Sequence, residues 1–329
     1  TLGNKPVIIT TPGGQATVPG GYTYTTTNIY VSNSSSNSVS VIDPGTNTVV
    51  ATIPVGTSPS RIAITPDLTR AYVANQTSGS VSVINTANNN LITTITGVGG
   101  QSAAIAITPD GTKAYVTNFT GSPNLRVINI PANTLGPAIT LGTNPRGVAI
   151  TPDGTRAYIA NAGSNSVSVI NTATNAVITT ITGLGSNPYV IAITPDGTKA
   201  YVTNASGNSV SVINTANNTV LATIPVGTGP QGIAITPDGT KAYVTNYSAN
   251  SVSVINTATN AVIATITGVG TNPLGIAITA DGTRAYVAVY GSNNVRVIDT
   301  ATNTLSGPAI TLSSSPYGVA ATPLPYPAP

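Results

Sequence analysis

Apolar and polar positions recur along the chain in blocks of four short runs, and none of the runs has helical spacing. Residues 232–267 show one block in full. Gly232-Ile-Ala-Ile-Thr236 is a short apolar run, which predicts the innermost of four strands. Pro237-Asp238-Gly239-Thr240 is a turn, in which Pro presets φ, Asp bonds the backbone two residues on and Gly accepts positive φ. Lys241-Ala-Tyr-Val-Thr-Asn246 predicts the second strand. Ser251-Val-Ser-Val-Ile255, alternating small polar and β-branched residues, predicts the third. Asn256-Thr-Ala-Thr-Asn260 is a second turn, and Ala261-Val-Ile-Ala-Thr-Ile266 predicts an outer strand.

The block repeats. Tyr-Val-Thr-Asn and its variants begin at Tyr30, Tyr72, Tyr115, Tyr158, Tyr201, Tyr243 and Tyr286, at intervals of 42 or 43 residues. Seven copies of a four-strand unit at that spacing predict an all-β fold, a seven-bladed β-propeller with four antiparallel strands per blade. Inner strands begin at Arg61, Ala104, Gly147, Val190, Gly232, Gly275 and Gly318, and no matching turn precedes Tyr30. The C-terminal inner strand, 318–322, is therefore expected to join the N-terminal strands of 28–53 and close the ring, which removes two open edges. The expected organisation is a strand-forming arm over 1–27, a propeller over 28–323 and a Pro-rich tail over 324–329.

Tyr-Val-Thr-Asn followed by Ser-Val-Ser-Val-Ile and preceded by Thr-Pro-Asp-Gly-Thr-Lys resembles the YVTN-repeat β-propellers of archaeal surface-layer proteins. The resemblance covers residues 28–323 and implies the propeller fold and a role at the cell surface. The chain is also similar to lactonase-type and quinoprotein propellers. Those enzymes set Glu, His, Asp or Trp at the channel mouth, and this chain lacks three of the four.

Composition narrows the chemistry. Among 329 residues there is no His, Cys, Met or Trp, and the acidic count of 8 consists of Asp43, Asp67, Asp110, Asp153, Asp196, Asp238, Asp281 and Asp299. Without His or Cys the usual zinc, haem, iron–sulfur and blue-copper sites cannot be assembled, nor can a Ser–His–Asp or Cys–His nucleophile. No metal, no cofactor and no enzymatic activity are expected. The 11 cations are spread about one per repeat, so the net charge of +3 makes no basic patch and nucleic acid is not an expected partner. No run is long enough to cross a membrane as a helix. The chain starts at Thr1 without Met, which implies a removed initiator and leader. With the Thr-, Ser- and Asn-rich composition, this places the protein outside the cell or on its surface.

Six of the Asp residues occupy the repeated turn, each three positions before Arg70, Lys113, Arg156, Lys199, Lys241 or Arg284. Calcium needs several carboxylates converging, and one Asp per blade cannot converge, so the expected role is a turn with a local ion pair. The position before each inner strand is free to vary and holds Ser60, Ala103, Arg146, Tyr189, Gln231, Leu274 and Tyr317. With Arg61 as a second cation, Arg61, Arg146, Tyr189, Gln231 and Tyr317 form a candidate ring for a small anionic or sugar ligand at one mouth of the channel. The loops after the motif add Phe119, Tyr247 and Tyr290, aromatics suited to adhesion or subunit contact. Asn33, Asn75, Asn118, Asn204, Asn217 and Asn246 match Asn-x-Ser/Thr, as candidate glycan acceptors or as blade-motif asparagines.

Five outer runs, 48–53, 91–95, 176–181, 219–224 and 261–266, carry neither charge nor Pro. The two other blades share Pro137 and Pro308, with Arg126 and Arg296 alongside. Bare edges invite pairing, and Pro6, Val7, Ile8, Ile9 and Thr10, with Tyr22 and Tyr24, read as strands that could supply it. The expected function is therefore a non-enzymatic, self-assembling subunit of a surface layer, sheath or filament, an adhesive role included, with itself, surface glycans or other surface proteins as partners. The alternative is a secreted monomer that binds its ligand at the channel mouth, and a lactonase- or quinoprotein-like enzyme is a distant third.

Overall fold

The computed structural model describes residues 7–11, 14–18, 28–121 and 123–322. Residues 28–322 form seven antiparallel sheets whose strands run in chain order from inside to outside. Blade 2 begins at Pro59–Ile64, and blades 3 to 7 follow from Ser102–Ile107, Pro145–Ile150, Pro188–Ile193, Pro230–Ile235 and Pro273–Ile278. Blade 1 is composite. Pro316–Ala321 pairs with Ile29–Asn33, Tyr30 lying opposite Ala320, so the last strand of the chain closes the ring as the repeat count requires. Each inner strand packs against the inner strands of both neighbouring blades around the axis. In blade 7 the outer strand is split into Thr304–Leu305 and Ile310–Thr311, with Pro308, which has no amide hydrogen to give, in the break.

Four letters of the repeated motif do four different jobs. The Tyr side chain is wholly buried and reaches the next blade: Tyr201 Oη donates to Asn260 Oδ1 at 2.7 Å and approaches the Thr257 carbonyl at 3.1 Å. The same bond joins Tyr30 to Asn89, Tyr72 to Asn133, Tyr115 to Asn175, Tyr158 to Asn218 and Tyr243 to Asn303. Tyr286 reaches Asn47 across the closure. Each receiving Asn stands in the left-handed region, φ 52–59°, which Asn tolerates better than other side chains. The Val enters an inter-blade core. Tyr30, Val39, Val41 and Ile53 of blade 1, for example, meet Ile62, Ala71, Val73 and Ile84 of blade 2.

The Thr ties three segments together. Thr117 Oγ1 accepts from the Ala104 amide at 3.0 Å and donates to the Arg146 carbonyl of the next blade at 2.6 Å. Thr203 and Thr245 repeat this at Val190 and Gln231, and at Gly232 and Leu274. The Asn amide binds serine hydroxyls of the third strand, as Asn204 Nδ2 does at Ser209 and Ser211.

That arrangement places the candidate glycan acceptors. Asn33, Asn75, Asn118, Asn204 and Asn246 are fully buried, their Nδ2 atoms donating internally. In the folded blade they are structural, and only Asn217 of the six stands exposed in a turn. The Asp turns also differ from the expected local ion pair. Asp196 accepts from Thr194 Oγ1 and from the amide and hydroxyl of Thr198, and these bonds hold its carboxyl below the ordinary value. Lys199 instead donates to the Thr257 carbonyl of the next blade at 2.8 Å. Arg70, Lys113, Arg156, Lys241 and Arg284 reach forward in the same way.

In the N-terminal segment, Val7–Thr11 pairs antiparallel with Gly14–Val18 of the same chain, Val7 opposite Val18. The strand expected over 22–25, with Tyr22 and Tyr24, lies outside the described residues, as does Pro6.

The tyrosine latch gives two expectations. Tyr201→Ala should cost about 3–5 kcal/mol of unfolding free energy and Tyr201→Phe about 1 kcal/mol, read by denaturant melts; an unchanged midpoint in the Ala variant would contradict the packing. Burial pushes the hydroxyls of Tyr115, Tyr201 and Tyr243 up to about 12. The folded state thus favours the neutral phenol, so this stability is complete below the ordinary value of 10.0 and drains away as pH rises through about 12. Ultraviolet titration should show the latch tyrosines ionising together with the loss of β-sheet circular dichroism, not before it.

Candidate functional site

The inner strands place their variable residues on the channel through a bulge. In blade 4 Pro145 faces Asn161 and Val148 faces Ile159, so residues 146 and 147 fall in a register shift. Residues 189–190, 60–61 and 317–318 fall in equivalent shifts. A bulge re-aims side chains that a regular strand would send into the sheet. At the next position contact favours Gly in blades 4 and 1: a Cβ on Gly147 would meet the Tyr189 carbonyl oxygen at 2.7 Å, and one on Gly318 the Ser60 carbonyl oxygen at 2.2 Å.

Blades 2, 4 and 7 carry Ala where the bridging Thr stands (Ala74, Ala160 and Ala288), and blade 2 makes good the loss. Its motif reads Tyr72-Val-Ala-Asn75, so the bridging hydroxyl is missing from Ala74. Ser60 stands in for it from the inner strand: its one hydroxyl hydrogen is shared among the carbonyls of Ala74, Ser102 and Ala103, each 3.1 Å from Oγ. Ser60 is thereby turned inward and buried. Its neighbour Arg61 takes the channel position.

Arg61, Arg146, Tyr189 and Tyr317 come together in one chamber of about 90 Å3, walled by Ile62, Ala103, Ala104, Ile105, Val148 and Val190. The Arg146 guanidinium lies 3.5 Å from the centroid of the Phe119 ring and 5.0 Å from that of Tyr189, and Arg61 lies 5.7 Å from that of Tyr317. Stacking of this kind is worth about 0.5–2 kcal/mol and fixes the plane of the guanidinium, leaving its edge free to donate. Arg146 Nε and Arg61 Nη2 are buried with no acceptor. Arg126 and Arg296 also leave a buried Nε without a partner, but each stands alone on the third strand of blade 3 or 7.

Across the channel the hydroxyls of Tyr189, in blade 5, and Tyr317, in blade 1, meet at 2.9 Å. Burial, above all, and the neighbouring Tyr189 push the Tyr317 hydroxyl well up, against the pull of Arg61 and Arg146, so it keeps its proton. Gln231 does not enter this chamber. It lines a larger vestibule of about 570 Å3 with Tyr189, Tyr317, Tyr247, Tyr290 and Leu274. Phe119 was legible in the sequence only as a loop aromatic; its role as the platform under Arg146 required the fold. The signal available was that it is the one Phe in the chain.

The other sizeable hollows are scaffold. A crevice of about 350 Å3 between blades 7 and 1, with Asp281 and Arg284, has the same make-up as those at Asp67 and Arg70 and at Asp196 and Lys199. Its Arg284 is already bound to the Pro44 carbonyl. Among the described residues no group of three or more His, Cys, Asp or Glu could hold a metal ion. None of the described helices is long and apolar enough to cross a membrane.

The YNCE-like beta-propeller family matches residues 100–300. No curated protein matches the chain. Among solved structures, a functionally unknown protein from Desulfotomaculum acetoxidans superposes with a TM-score of 0.80 at 21% identity, over 90% of this chain and 99% of that one. Hydrazine synthase from Kuenenia stuttgartiensis gives 0.75 at 27% identity, over 84% and 93%. A candidate 6-phosphogluconolactonase from Bacteroides fragilis gives 0.76 at 20% identity, over 92% and 99%. The first and the last share the fold.

These likenesses correct two expectations. Hydrazine synthase and the lactonase candidate carry enzyme names, and neither name speaks of a surface layer. The non-enzymatic surface-layer, sheath or filament subunit is therefore withdrawn, and with it the assembly role for Pro6, Val7, Ile8, Ile9, Thr10, Tyr22 and Tyr24. The expectation of no enzymatic activity loses its footing too, since propellers similar to this one include enzymes. The resemblance to YVTN surface-layer propellers narrows to the matched family.

A side chain held for a ligand, not for the fold, should be dispensable to stability. Arg146→Ala is expected to leave the melting temperature of the ligand-free protein within a few degrees of wild type, because it also removes a buried Nε that has no acceptor. A loss as large as that of a core residue would make Arg146 structural.

Proposed function

The chain belongs to the YNCE-like beta-propeller family, and for it we propose the capture of a small anionic ligand at the channel mouth by Arg61 and Arg146. One observation carries this reading: two guanidiniums share a chamber whose lining contains no carboxylate, and each keeps a buried donor without an acceptor. A guanidinium nitrogen buried without an acceptor is costly. An oxyanion supplies both the missing acceptors and the missing charge, in the bidentate geometry that guanidinium favours. Tyr189 and Tyr317 add hydroxyl donors, and Phe119 holds Arg146 in place.

The likeness to hydrazine synthase and to the lactonase candidate favours a second reading, in which the bound anion is a substrate. The chamber supplies orientation and charge, and its two tyrosine hydroxyls can donate hydrogen bonds to a bound substrate.

Thermal-shift titration with inorganic phosphate, sulfate and acetate tests the binding reading. At a hundredfold excess over Kd, stabilisation of about 2.7 kcal/mol is expected for the wild type and none for Arg61→Ala/Arg146→Ala. An equal shift in wild type and variant would place the anion elsewhere and overturn the assignment.

A further inference from the structure

The chamber and the vestibule share two lining residues, Tyr189 and Tyr317, and these are the pair whose hydroxyls meet at 2.9 Å across the channel. The pair is thus a partition. On its inner side lie the two arginines and apolar walls. On its outer side the lining is uncharged and rich in tyrosine. Burial raises the Tyr247 hydroxyl first, and the nearby Tyr290 and Tyr189 raise it further, so these rings converge there.

The sizes divide the ligand in the same way. The chamber, about 90 Å3, has room for a phosphate or carboxylate group. It is smaller than the roughly 150 Å3 apolar cavity known to take up benzene, so it does not have room for a ring. The vestibule, at about 570 Å3, falls in the range of small-molecule sites, but it offers an anion no counter-charge.

Resting on the anion-binding reading above, we propose that the ligand is a two-part organic oxyanion: a phosphate monoester or carboxylate head on Arg61 and Arg146, joined to an uncharged ring that lies in the vestibule against Tyr247 and Tyr290. To span both spaces it passes between Tyr189 and Tyr317. Parting the pair leaves two hydroxyls that need new partners, and the oxygens of the head provide them. Neither space alone satisfies such a molecule. The outer one lacks charge and the inner one lacks room.

Matched probes test the division: inorganic phosphate against phenyl phosphate, and acetate against phenylacetate, titrated calorimetrically into the whole protein. The ring-bearing member of at least one pair should bind about tenfold more tightly, the gain expected of an aromatic contact of about 1.4 kcal/mol. In Tyr247→Ala/Tyr290→Ala that gain should vanish while the affinity for the bare head stays at its wild-type value. The pair that shows the effect identifies the head as phosphate or carboxylate. Equal affinities within both pairs would overturn the two-part ligand and leave the arginine reading standing. A gain that survives in the double variant would also overturn it, by placing the ring outside the vestibule. If the wild type binds none of the four probes, the anion reading fails and this inference fails with it.

Discussion

A propeller stands or falls on how each blade grips the next, and here the grip is one hydrogen bond made seven times. A tyrosine on the second strand is buried to its hydroxyl and ends on an asparagine of the following blade. Burying the ring excludes water from the inter-blade seam, but a buried hydroxyl without an acceptor would undo the gain. The asparagine answers that need because its turn already holds it in a left-handed conformation, with Oδ1 facing back across the seam. Core formation and turn geometry therefore depend on each other in every blade. Tyr286 meeting Asn47 makes the closing seam equivalent to the other six.

The same economy frees the centre of the ring. The hydroxyls of Thr117, Thr203 and Thr245 hold the bulged inner strands of blades 3, 5 and 6 and clip each to its neighbour, a bond that the side chains in those bulges need not make. The cations of the Asp turns are spent on neighbouring carbonyls. Arg61 and Arg146 escape that pattern, and both end in the same chamber. In blade 2 the hydroxyl that reaches the next blade comes from Ser60 and not from position 74. The inter-blade bond is kept, and the displaced position becomes a cationic one.

Conservation of fold and divergence of chemistry are thus separated in space. Inter-blade seams repeat nearly without variation, whereas the mouth draws Arg61, Phe119, Arg146, Tyr189, Tyr247, Tyr290 and Tyr317 from blades 2, 3, 4, 5, 6, 7 and 1 in turn. A site assembled one residue per blade has no local motif. Likeness of fold to hydrazine synthase or to a lactonase candidate therefore bears on the kind of scaffold more than on the ligand.

The sequence by itself determined the seven blades, the strand order and the closing role of the C-terminal strand. Each follows from local periodicity and from a count of repeats, and neither changes with tertiary detail. It also picked out Arg61, Arg146, Tyr189, Gln231 and Tyr317, because positions that drift among otherwise equal repeats are visible without any structure. Only the tertiary structure decided what those positions do together. Gln231 was parted from the arginines by the width of a tyrosine pair, and Phe119 was brought under Arg146 from a different blade. Tertiary structure likewise turned five glycan-acceptor motifs into internal struts, since an Asn-x-Ser/Thr match says nothing about burial. The physical reason is the same in each case. Periodicity is a property of neighbours along the chain, whereas a channel is a meeting of residues from seven separate sheets, and its distances are set when the ring closes.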